Sequence, residues 1–200
     1  KDTLTTLKPG EAYFIHCLRD AEWTMPQEMS SARFVYDGDG GRVKKITAEA
    51  TTVYVGQLYE ITGGVITKHL FAGATRVASK DSKGKLFFYH SDHLSSSNII
   101  TNSTGEQVQL FEYMPYGLTC RDDGDGSYQL GYKYTGKELD AETGLYYYGV
   151  RYYDASLGRF ITPDPIGANL YLPQSLNRYA YGFNNPLRYV DPNGLWSIGF

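Results

Sequence analysis

The sequence predicts a mainly β fold made of stacked hairpin repeats. Nineteen tyrosines and 22 glycines, with only three methionines in 200 residues, are typical of strands and turns rather than of helices. Short apolar segments recur at a spacing of about 20 residues and end in turns rich in glycine and aspartate. A repeat of this size exposes a strand edge, so it has to stack on its neighbours.

The first segment, residues 1–30, lacks the tyrosine rhythm of the rest. We interpret it as a divergent repeat or as the end of a preceding module. The repeats are predicted for residues 31–128, and the first of them is a strand, a turn at residues 37–41 and a return strand that includes Val43 and Ile46. This strand–turn–strand unit is the pattern that the later repeats share.

Three further hairpins are predicted from alternating apolar residues and the turns between them. The first has an unbroken strand from Val53 to Ile61 before its turn at Gly63-Gly64, because two glycines suit a tight turn. A polar stretch rich in glycine and aspartate, residues 118–129, is expected to be a surface loop that ends the repeats. The hairpins are predicted at residues 53–71, 76–89 and 98–113.

The histidines raise the question of a metal site or a catalytic His–Asp pair. His90, Asp92 and His93 are close in sequence, but residues three apart on a strand face opposite sides. Cys17 and Cys120 are far from each other, which fits neither a disulfide framework nor a zinc site. We therefore expect the histidines to form hydrogen bonds within the fold, and we expect no metal and no cofactor.

Two copies of Asp-Pro-x-Gly stand in the C-terminal part, at residues 164–167 and 191–194. Proline fixes its own φ and favours an extended residue before it, while glycine can adopt the positive φ that closes a turn. Each tetrad therefore presents a carboxylate at a rigid bend. One interpretation is an ordinary turn, in which the aspartate accepts a backbone N–H two residues on. Between the tetrads, Ser175 is predicted to cap a brief helix through Tyr181.

The context of the tetrads carries a family resemblance. Residues 134–167, Y-T-G-K-E-L-D-A-E-T-G-L-Y-Y-Y-G-V-R-Y-Y-D-A-S-L-G-R-F-I-T-P-D-P-I-G, resemble the RHS-repeat-associated core, and so do residues 177–195, N-R-Y-A-Y-G-F-N-N-P-L-R-Y-V-D-P-N-G-L. RHS proteins, also called YD-repeat proteins, include bacterial polymorphic toxins and the C subunits of insecticidal Tc toxins. Two departures from the family pattern stand out: Ser95 replaces a usual glycine, and Ala168-Asn169 follows the first tetrad where leucine is common.

The resemblance implies an architecture. The hairpins would be YD repeats that form part of a spiral β-shell, closed by an irregular C-terminal core with short helical turns. The core would occupy residues 129–195 and act as an autoprotease. Residues 196–200 would begin a variable C-terminal region that carries the toxin.

The resemblance also implies a chemistry, because the core of RHS proteins cleaves its own chain. Asp164 and Asp191 match the two motif aspartates. Two carboxylates a few ångströms apart share a proton, so the neutral one acts as an acid while the ionised one activates water. The expected activity is therefore a single-turnover aspartic autoprotease.

Two arginines compete for a supporting role beside these aspartates. Arg151 matches the arginine of the family motif Y-Y-x-x-R-Y-Y and would orient a carboxylate or polarise the scissile carbonyl. Arg159 is the second choice. The scissile bond would be Leu195–Trp196, directly after the second tetrad.

A rival interpretation is a non-catalytic structural or adhesive module. In that case the aspartates are turn residues, and exposed tyrosines bind carbohydrate or a protein partner, since tyrosine joins apolar area to a polar tip. An inward-facing pair of Asp164 and Asp191 distinguishes the two interpretations, because adhesion requires nothing of either residue.

Composition limits the partners. A net charge of −3 without a basic block argues against nucleic acid, and no apolar run reaches the length of a membrane span. No signal peptide is visible in this fragment, and we expect a protein that is secreted, displayed on the cell surface or delivered by a bacterial secretion system. The expected partners are the rest of the shell, its own C-terminal toxin segment and a shell-closing or delivery protein.

Overall fold

The computed structural model describes residues 32–166, 171, 173–195 and 197–199. Ten strands form one antiparallel sheet and follow one another in chain order. The prediction of a mainly β fold of consecutive hairpins with short helical turns is confirmed. The strands are β1 Arg33–Tyr36, β2 Arg42–Ile46, β3 Thr51–Val55, β4 Tyr59–Thr62, β5 Val65–Ala72, β6 Thr75–Asp81, β7 Leu86–Ser91, β8 Ser97–Thr101, β9 Gln107–Tyr113 and β10 Thr119–Gly124.

An aspartate or asparagine side chain closes four of the hairpin turns in the same way. The Oδ1 atom of Asp37 accepts the backbone N–H groups two and four residues on, at 3.0 and 2.8 Å. Asp81, Asp92 and Asn102 repeat this pair of hydrogen bonds. The residue three positions after each of them is left-handed, and it is glycine in three turns and Ser95, with a φ of 66°, in the fourth. The serine thus adopts a conformation that glycine adopts with less strain.

Two predictions about this sheet are wrong in detail. The predicted single strand from Val53 to Ile61 is two strands, because Gly56 turns the chain with a φ of 61° between β3 and β4. The predicted loop at residues 118–129 contains β10, which pairs with β9. Most residues of β10 are polar or charged, as is common for an exposed edge strand, and this composition hid the strand from the sequence pattern.

The C-terminal part contains two small sheets and three 3-10 turns. The sheets are β11 Glu138–Asp140, β12 Leu145–Tyr147, β13 Tyr152–Asp154 and β14 Arg159–Phe160, followed by β15 Tyr189–Val190 paired with β16 Ile198–Gly199. The 3-10 turns are Tyr134–Gly136, Pro173–Leu176 and Gly182–Asn184. Among the described residues, no helix has the length and apolar character needed to cross a bilayer.

The helix predicted from Ser175 to Tyr181 is replaced by the last two of these turns. Between them the backbone pairs with β14 instead of forming a helix: Phe160 donates its N–H to the Tyr179 carbonyl at 3.0 Å, and Arg159 bridges to Ala180. Pairing with β14, which is distant in sequence, therefore outweighs the local helix propensity of this segment.

Buried tyrosines form the core between the large sheet and the C-terminal part. Three of their hydroxyls donate to backbone carbonyls of the turn between β9 and β10, at residues 115–117, which satisfies these polar groups where water is excluded. Five of the 19 tyrosines belong to this core. The core residues are Leu94, Tyr134, Tyr146, Tyr148, Tyr153, Ala155, Phe160, Tyr181 and Val190.

A buried ion cluster joins the large sheet to the C-terminal part. Arg42 on β2 contacts Asp140 Oδ2 at 2.6 Å and Glu138 Oε2 at 2.7 Å, and both acids belong to β11. Its guanidinium also lies 4.2 Å from the centre of the Tyr147 ring. Burial by itself would lower the pKa of Arg42, but Glu138 and Asp140 raise it above the usual range. Arg42 is therefore a permanent cation that holds the two parts together.

We predict that Arg42→Met lowers the free energy of unfolding by about 3 to 5 kcal/mol, because it leaves the buried Asp140 carboxylate without its main partner. Denaturant titration followed by circular dichroism measures this change. Arg121→Met is the matched control, since Arg121 pairs with Asp123 and Glu112 at an exposed site. Equal effects of the two substitutions would show that burial of the Arg42 cluster does not matter.

Candidate functional site

The second tetrad is a tight, buried turn built on the Asp191 side chain. Its Oδ1 atom accepts the N–H groups of Gly194 at 2.7 Å, Leu195 at 3.1 Å and Asn193 at 3.3 Å. Gly194 has a φ of 79°, and a Cβ there would lie 3.2 Å from the Arg151 backbone nitrogen. Only glycine combines this conformation with such a close approach. Asp191 itself is 1% exposed, which is unusual for an aspartate in a turn.

The first tetrad is also a turn closed by its aspartate side chain, but it is less buried. Asp164 Oδ1 accepts the N–H of Ile166 at 2.8 Å, as an aspartate in an ordinary turn does. The Asp164 backbone N–H donates to the Arg178 carbonyl at 2.8 Å, and Arg178 Nε donates to the Asp164 carbonyl at 2.9 Å. Gly167, the last residue of this tetrad, lies outside the described residues.

Arg151 brings the two tetrads together. Its Nη2 atom contacts Asp164 Oδ2 at 2.9 Å and Asp191 Oδ2 at 3.1 Å. The other two nitrogens bind backbone carbonyls: Nε donates to Gly194 at 2.5 Å and Nη1 to Arg178 at 3.0 Å. One buried guanidinium therefore joins both motif aspartates, which are distant in sequence, and fixes the backbone beside each.

Burial dominates the electrostatics of this site. It raises the pKa of Asp191 above the usual range, although three backbone N–H groups and the Arg151 cation oppose the shift. Burial likewise lowers the pKa of Arg151, and Asp164 and Asp191 oppose that shift. A neutral Asp191 is thus reached at a higher pH than for a carboxyl group in water, which is the property that a general acid needs.

The two candidate arginines and the predicted scissile residue Leu195 lie in different surroundings. Arg159 is exposed on β14, so of the two candidate arginines it is Arg151 that contacts both carboxylates. Leu195 donates its N–H to Asp191. Near the predicted cleavage site, Arg151 contacts the Gly194 carbonyl, one residue before the carbonyl of the Leu195–Trp196 bond. Trp196 lies outside the described residues.

The histidines have separate partners, as expected. His90 Nε2 lies 3.1 Å from Thr101 Oγ1, and His93 Nε2 donates to the Leu187 carbonyl at 3.0 Å. The prediction of hydrogen bonding within the fold is confirmed. In the part of the chain that the structure describes, no three His, Cys, Asp or Glu side chains are grouped to hold a metal.

A serine, a histidine and a glutamate form a second constellation that sequence spacing did not reveal. His69 Nδ1 lies 2.7 Å from Ser79 Oγ, and His69 Nε2 lies 3.4 Å from Glu60 Oε2. Ser79 has no exposed surface and also bonds to the Tyr89 hydroxyl, while Tyr132 donates to Glu60 at 2.6 Å. Because no substrate can reach Ser79, we interpret this chain of contacts as a structural network and not as a nucleophile with its base.

A cavity of about 620 Å³ lies beside this network, between the large sheet and residues 127–142. Thr52, Thr67 and Glu60 line it from the sheet, and Tyr132 lines it from the opposite side. None of its lining residues belongs to either tetrad, so the cavity is separate from the paired carboxylates.

Two basic residues that contact the tetrads were not predicted from the sequence. Arg178 binds the backbone of the first tetrad, and Lys137 donates from Nζ to the Pro192 carbonyl of the second at 2.5 Å. Both lie inside the family motifs, in Y-T-G-K-E and N-R-Y-A-Y-G. Their contacts are with backbone carbonyls, which no spacing rule in the sequence reveals.

Comparison with known proteins finds relatives that share this type of fold. A family model described as Teneurin YD-shell matches residues 51–187. The tRNA nuclease WapA of Bacillus subtilis (strain 168) is 33% identical over 176 residues, which are 82% of this chain and 8% of WapA. Toxin subunit YenC2 of Yersinia entomophaga is 42% identical over 103 residues, 50% of this chain and 10% of YenC2.

A solved structure agrees with these relatives. The crystal structure of TcdB2-TccC3-TEV superposes with a TM-score of 0.71 and 29% identity, over 83% of this chain and 9% of that one. The chain therefore spans a tenth or less of the length of each of these three proteins.

We predict that Glu60→Gln removes a pH-dependent part of the stability. Burial raises the pKa of Glu60, but the His69 ring 3.4 Å away, the hydrogen bond from Tyr132 and the Arg76 cation outweigh burial and bring the pKa below the usual range. Ionised Glu60 therefore stabilises the fold above the pKa of the unfolded chain, and this contribution is lost as the pH falls through the folded value. The difference in unfolding free energy between the parent and Glu60→Gln should shrink from about pH 6 to about pH 3. A constant difference across that range would contradict this.

We predict that Arg151→Met lowers the free energy of unfolding by about 3 to 5 kcal/mol, because the buried Asp191 carboxylate loses its cation. Arg159→Met makes the same change at an exposed position close by in the chain and should have little effect. Chemical denaturation of the two variants beside the parent checks this. If both lose stability equally, Arg151 has no special role in holding the tetrads.

Proposed function

Because the chain belongs to the Teneurin YD-shell family, we propose that it is the C-terminal end of an RHS shell that encloses a toxin and releases it by cutting its own chain after Leu195. The RHS/YD-repeat fold and its association with toxin proteins are shared with the relatives. Those relatives carry different names, a tRNA nuclease and a toxin subunit, yet match over the same kind of segment. The shared segment therefore suits the role of a container whose contents differ.

The contact of Arg151 with both tetrad aspartates is the observation that carries the self-cleavage proposal. An ordinary Asp-Pro-x-Gly turn needs neither a buried carboxylate nor a shared arginine. Here the Asp191 side chain is 2% exposed and the Asp164 side chain 19% exposed, and both contact the same Nη2 atom. An adhesive module requires nothing of this kind from either residue.

The environments of the two carboxyl groups suggest their roles. Asp164 is the more accessible, so it takes the proton from a water molecule whose oxygen attacks the Leu195 carbonyl carbon. Asp191, whose pKa is raised by burial, protonates the oxygen that becomes negatively charged. As the tetrahedral intermediate collapses, Asp164 passes its proton to the Trp196 nitrogen and Asp191 regains one from a hydroxyl of the intermediate. The Leu195–Trp196 bond breaks, which leaves a carboxyl group on Leu195 and an amine on Trp196.

Arg151 supports this chemistry without taking part in proton transfer. Its Nη2 atom orients the Asp164 carboxyl group, and its bond to the Gly194 carbonyl fixes the residue just before Leu195. Because the substrate belongs to the same chain, proximity replaces binding affinity, and one turnover completes the task.

The container role implies the partners. The chain would contact the rest of the shell and its own C-terminal toxin segment. A shell-closing or delivery protein is also proposed, since the solved relatives include complexes of TccC3 with TcdB2. Secretion, or delivery by a bacterial secretion system, fits a toxin carrier of this kind.

The adhesive alternative depends on exposed tyrosines and has less support. Five tyrosines of the C-terminal part are buried in the core between the sheets. Those that are exposed do not form one continuous stretch of sequence; they include Tyr36, Tyr59, Tyr171 and Tyr179.

The proposal predicts that the chain, extended by a C-terminal reporter and folded before the measurement starts, splits between Leu195 and Trp196. Asp164→Asn and Asp191→Asn should each slow this reaction by about a hundredfold or more, because each removes a group that transfers a proton. Asparagine retains a side-chain oxygen that can cap the turn. Intact mass over time, from about pH 4 to about pH 8, gives the cut position and the rate.

Asp81→Asn is the matched control. Asn102 closes its hairpin with the same two hydrogen bonds that Asp81 makes, so this substitution should leave cleavage at the parent rate. If the folded parent stays whole at every pH, the self-cleavage proposal fails and a structural or adhesive shell becomes the better account. A cut before Leu195 would instead point to the Gly194 carbonyl that Arg151 contacts.

A further inference from the structure

We propose that Lys137 is a positioning residue of the paired-carboxylate site, which clamps the second tetrad through the Pro192 carbonyl and places a positive charge next to Asp191 in the chain. This inference rests on the proposed self-cleavage. Lys137 touches no reacting atom, so its role is exerted through the tetrad.

The second tetrad is held from both sides of its backbone. Asp191 binds the N–H groups of the turn, and Lys137 Nζ binds the Pro192 carbonyl at 2.5 Å. The ammonium group also lies 5.5 Å from the centre of the Tyr148 ring. The carbonyls of a surface turn normally accept hydrogen bonds from water. A partly buried ammonium group at the Pro192 carbonyl costs desolvation, so its presence suggests a specific role.

A strained turn places Lys137. Thr135, a β-branched residue, has a φ of 47° and a ψ of 30°, which is a left-handed conformation that such residues rarely adopt. Its N–H donates to Ser96 Oγ at 3.1 Å, and its hydroxyl lies 2.6 Å from the Tyr148 hydroxyl. Gly136 comes next with a φ of 68°. Backbone strain persists only where the surroundings impose it, and such strain is concentrated at functional sites.

The charged groups around Lys137 shift its pKa in opposite directions. Burial lowers the pKa of Lys137, Asp191 raises it again, and the Arg76 cation lowers it. Arg76 lies near because its Nη1 donates to the Gly136 carbonyl at 3.3 Å. The ionisable groups that face Asp191 are Lys137, Arg151 and the Tyr181 hydroxyl, with Asp164 beyond the shared arginine.

Two cations therefore lie at the second tetrad, Arg151 on the Asp191 carboxyl group and Lys137 on the next residue's carbonyl, and they come from different elements. Arg151 also holds Asp164, so its removal changes both acids at once. Lys137 acts on the second tetrad alone. Removing its charge should raise the pKa of Asp191, so that the neutral acid persists to a higher pH.

The test compares Lys137→Met and Lys137→Arg with the parent in the reporter-extended chain. For Lys137→Met we expect a lower maximal cleavage rate, because the tetrad is less well held. We also expect the alkaline limb of the pH–rate profile to move up by about one unit, as is usual when an opposite charge near a carboxylate is lost. Lys137→Arg keeps the charge, so its limb should stay at the parent position.

A residue with a purely structural role would lower the rate without moving the limb. An unmoved limb in Lys137→Met, or an equal displacement in both variants, overturns the inference while leaving self-cleavage in place.

A second readout remains informative if the parent never cleaves. Carbon-13 NMR of labelled aspartate carboxyl groups, with the Asp191 signal assigned by its loss in Asp191→Asn, monitors the titration of Asp191 directly. A higher midpoint in Lys137→Met, with an unchanged one in Lys137→Arg, supports the control of Asp191 even where the proposed function fails. The same midpoint in all three chains overturns it.

Discussion

The geometry of the candidate site depends on one guanidinium that binds two carboxylates and two backbone carbonyls at once. Arg151 can do this only if both tetrads reach it, and the fold meets that condition by pairing residues 179–180 with β14 and by turning sharply at Gly194. Taking an arginine and an aspartate out of water is expensive, so such a group persists only when its partners are well placed. The site is thus a consequence of how the C-terminal part closes on itself.

A second buried arginine, paired with carboxylates, joins the large sheet to the C-terminal part. Arg42 enters the C-terminal part from the large sheet and meets Asp140 and Glu138, and no apolar contact could impose so definite a register between the two parts. The tyrosine core adds further directional bonds, because each buried hydroxyl needs a partner. Polar contacts of this kind specify one arrangement of the two parts more narrowly than apolar contacts do.

Residue patterns predict most strands of the large sheet but not all of their boundaries. Alternation and Asp/Gly turns predict the hairpins correctly, since both depend on neighbours in sequence. The split at Gly56, the edge strand β10 and the lost helix after Ser175 depend on partners far along the chain. Propensity alone cannot anticipate a strand that a distant backbone induces in a polar segment.

By itself, the sequence determined the class of fold, the turn chemistry and the identity of the candidate acids, because proline, glycine and aspartate act on the backbone beside them. Only the tertiary structure decided that Arg151 and not Arg159 contacts both aspartates, and that Asp191 is buried while Asp164 remains partly open. It also revealed Lys137 at the Pro192 carbonyl. Burial and contacts across the chain set pKa values and shared partners, and neither is a property of local sequence.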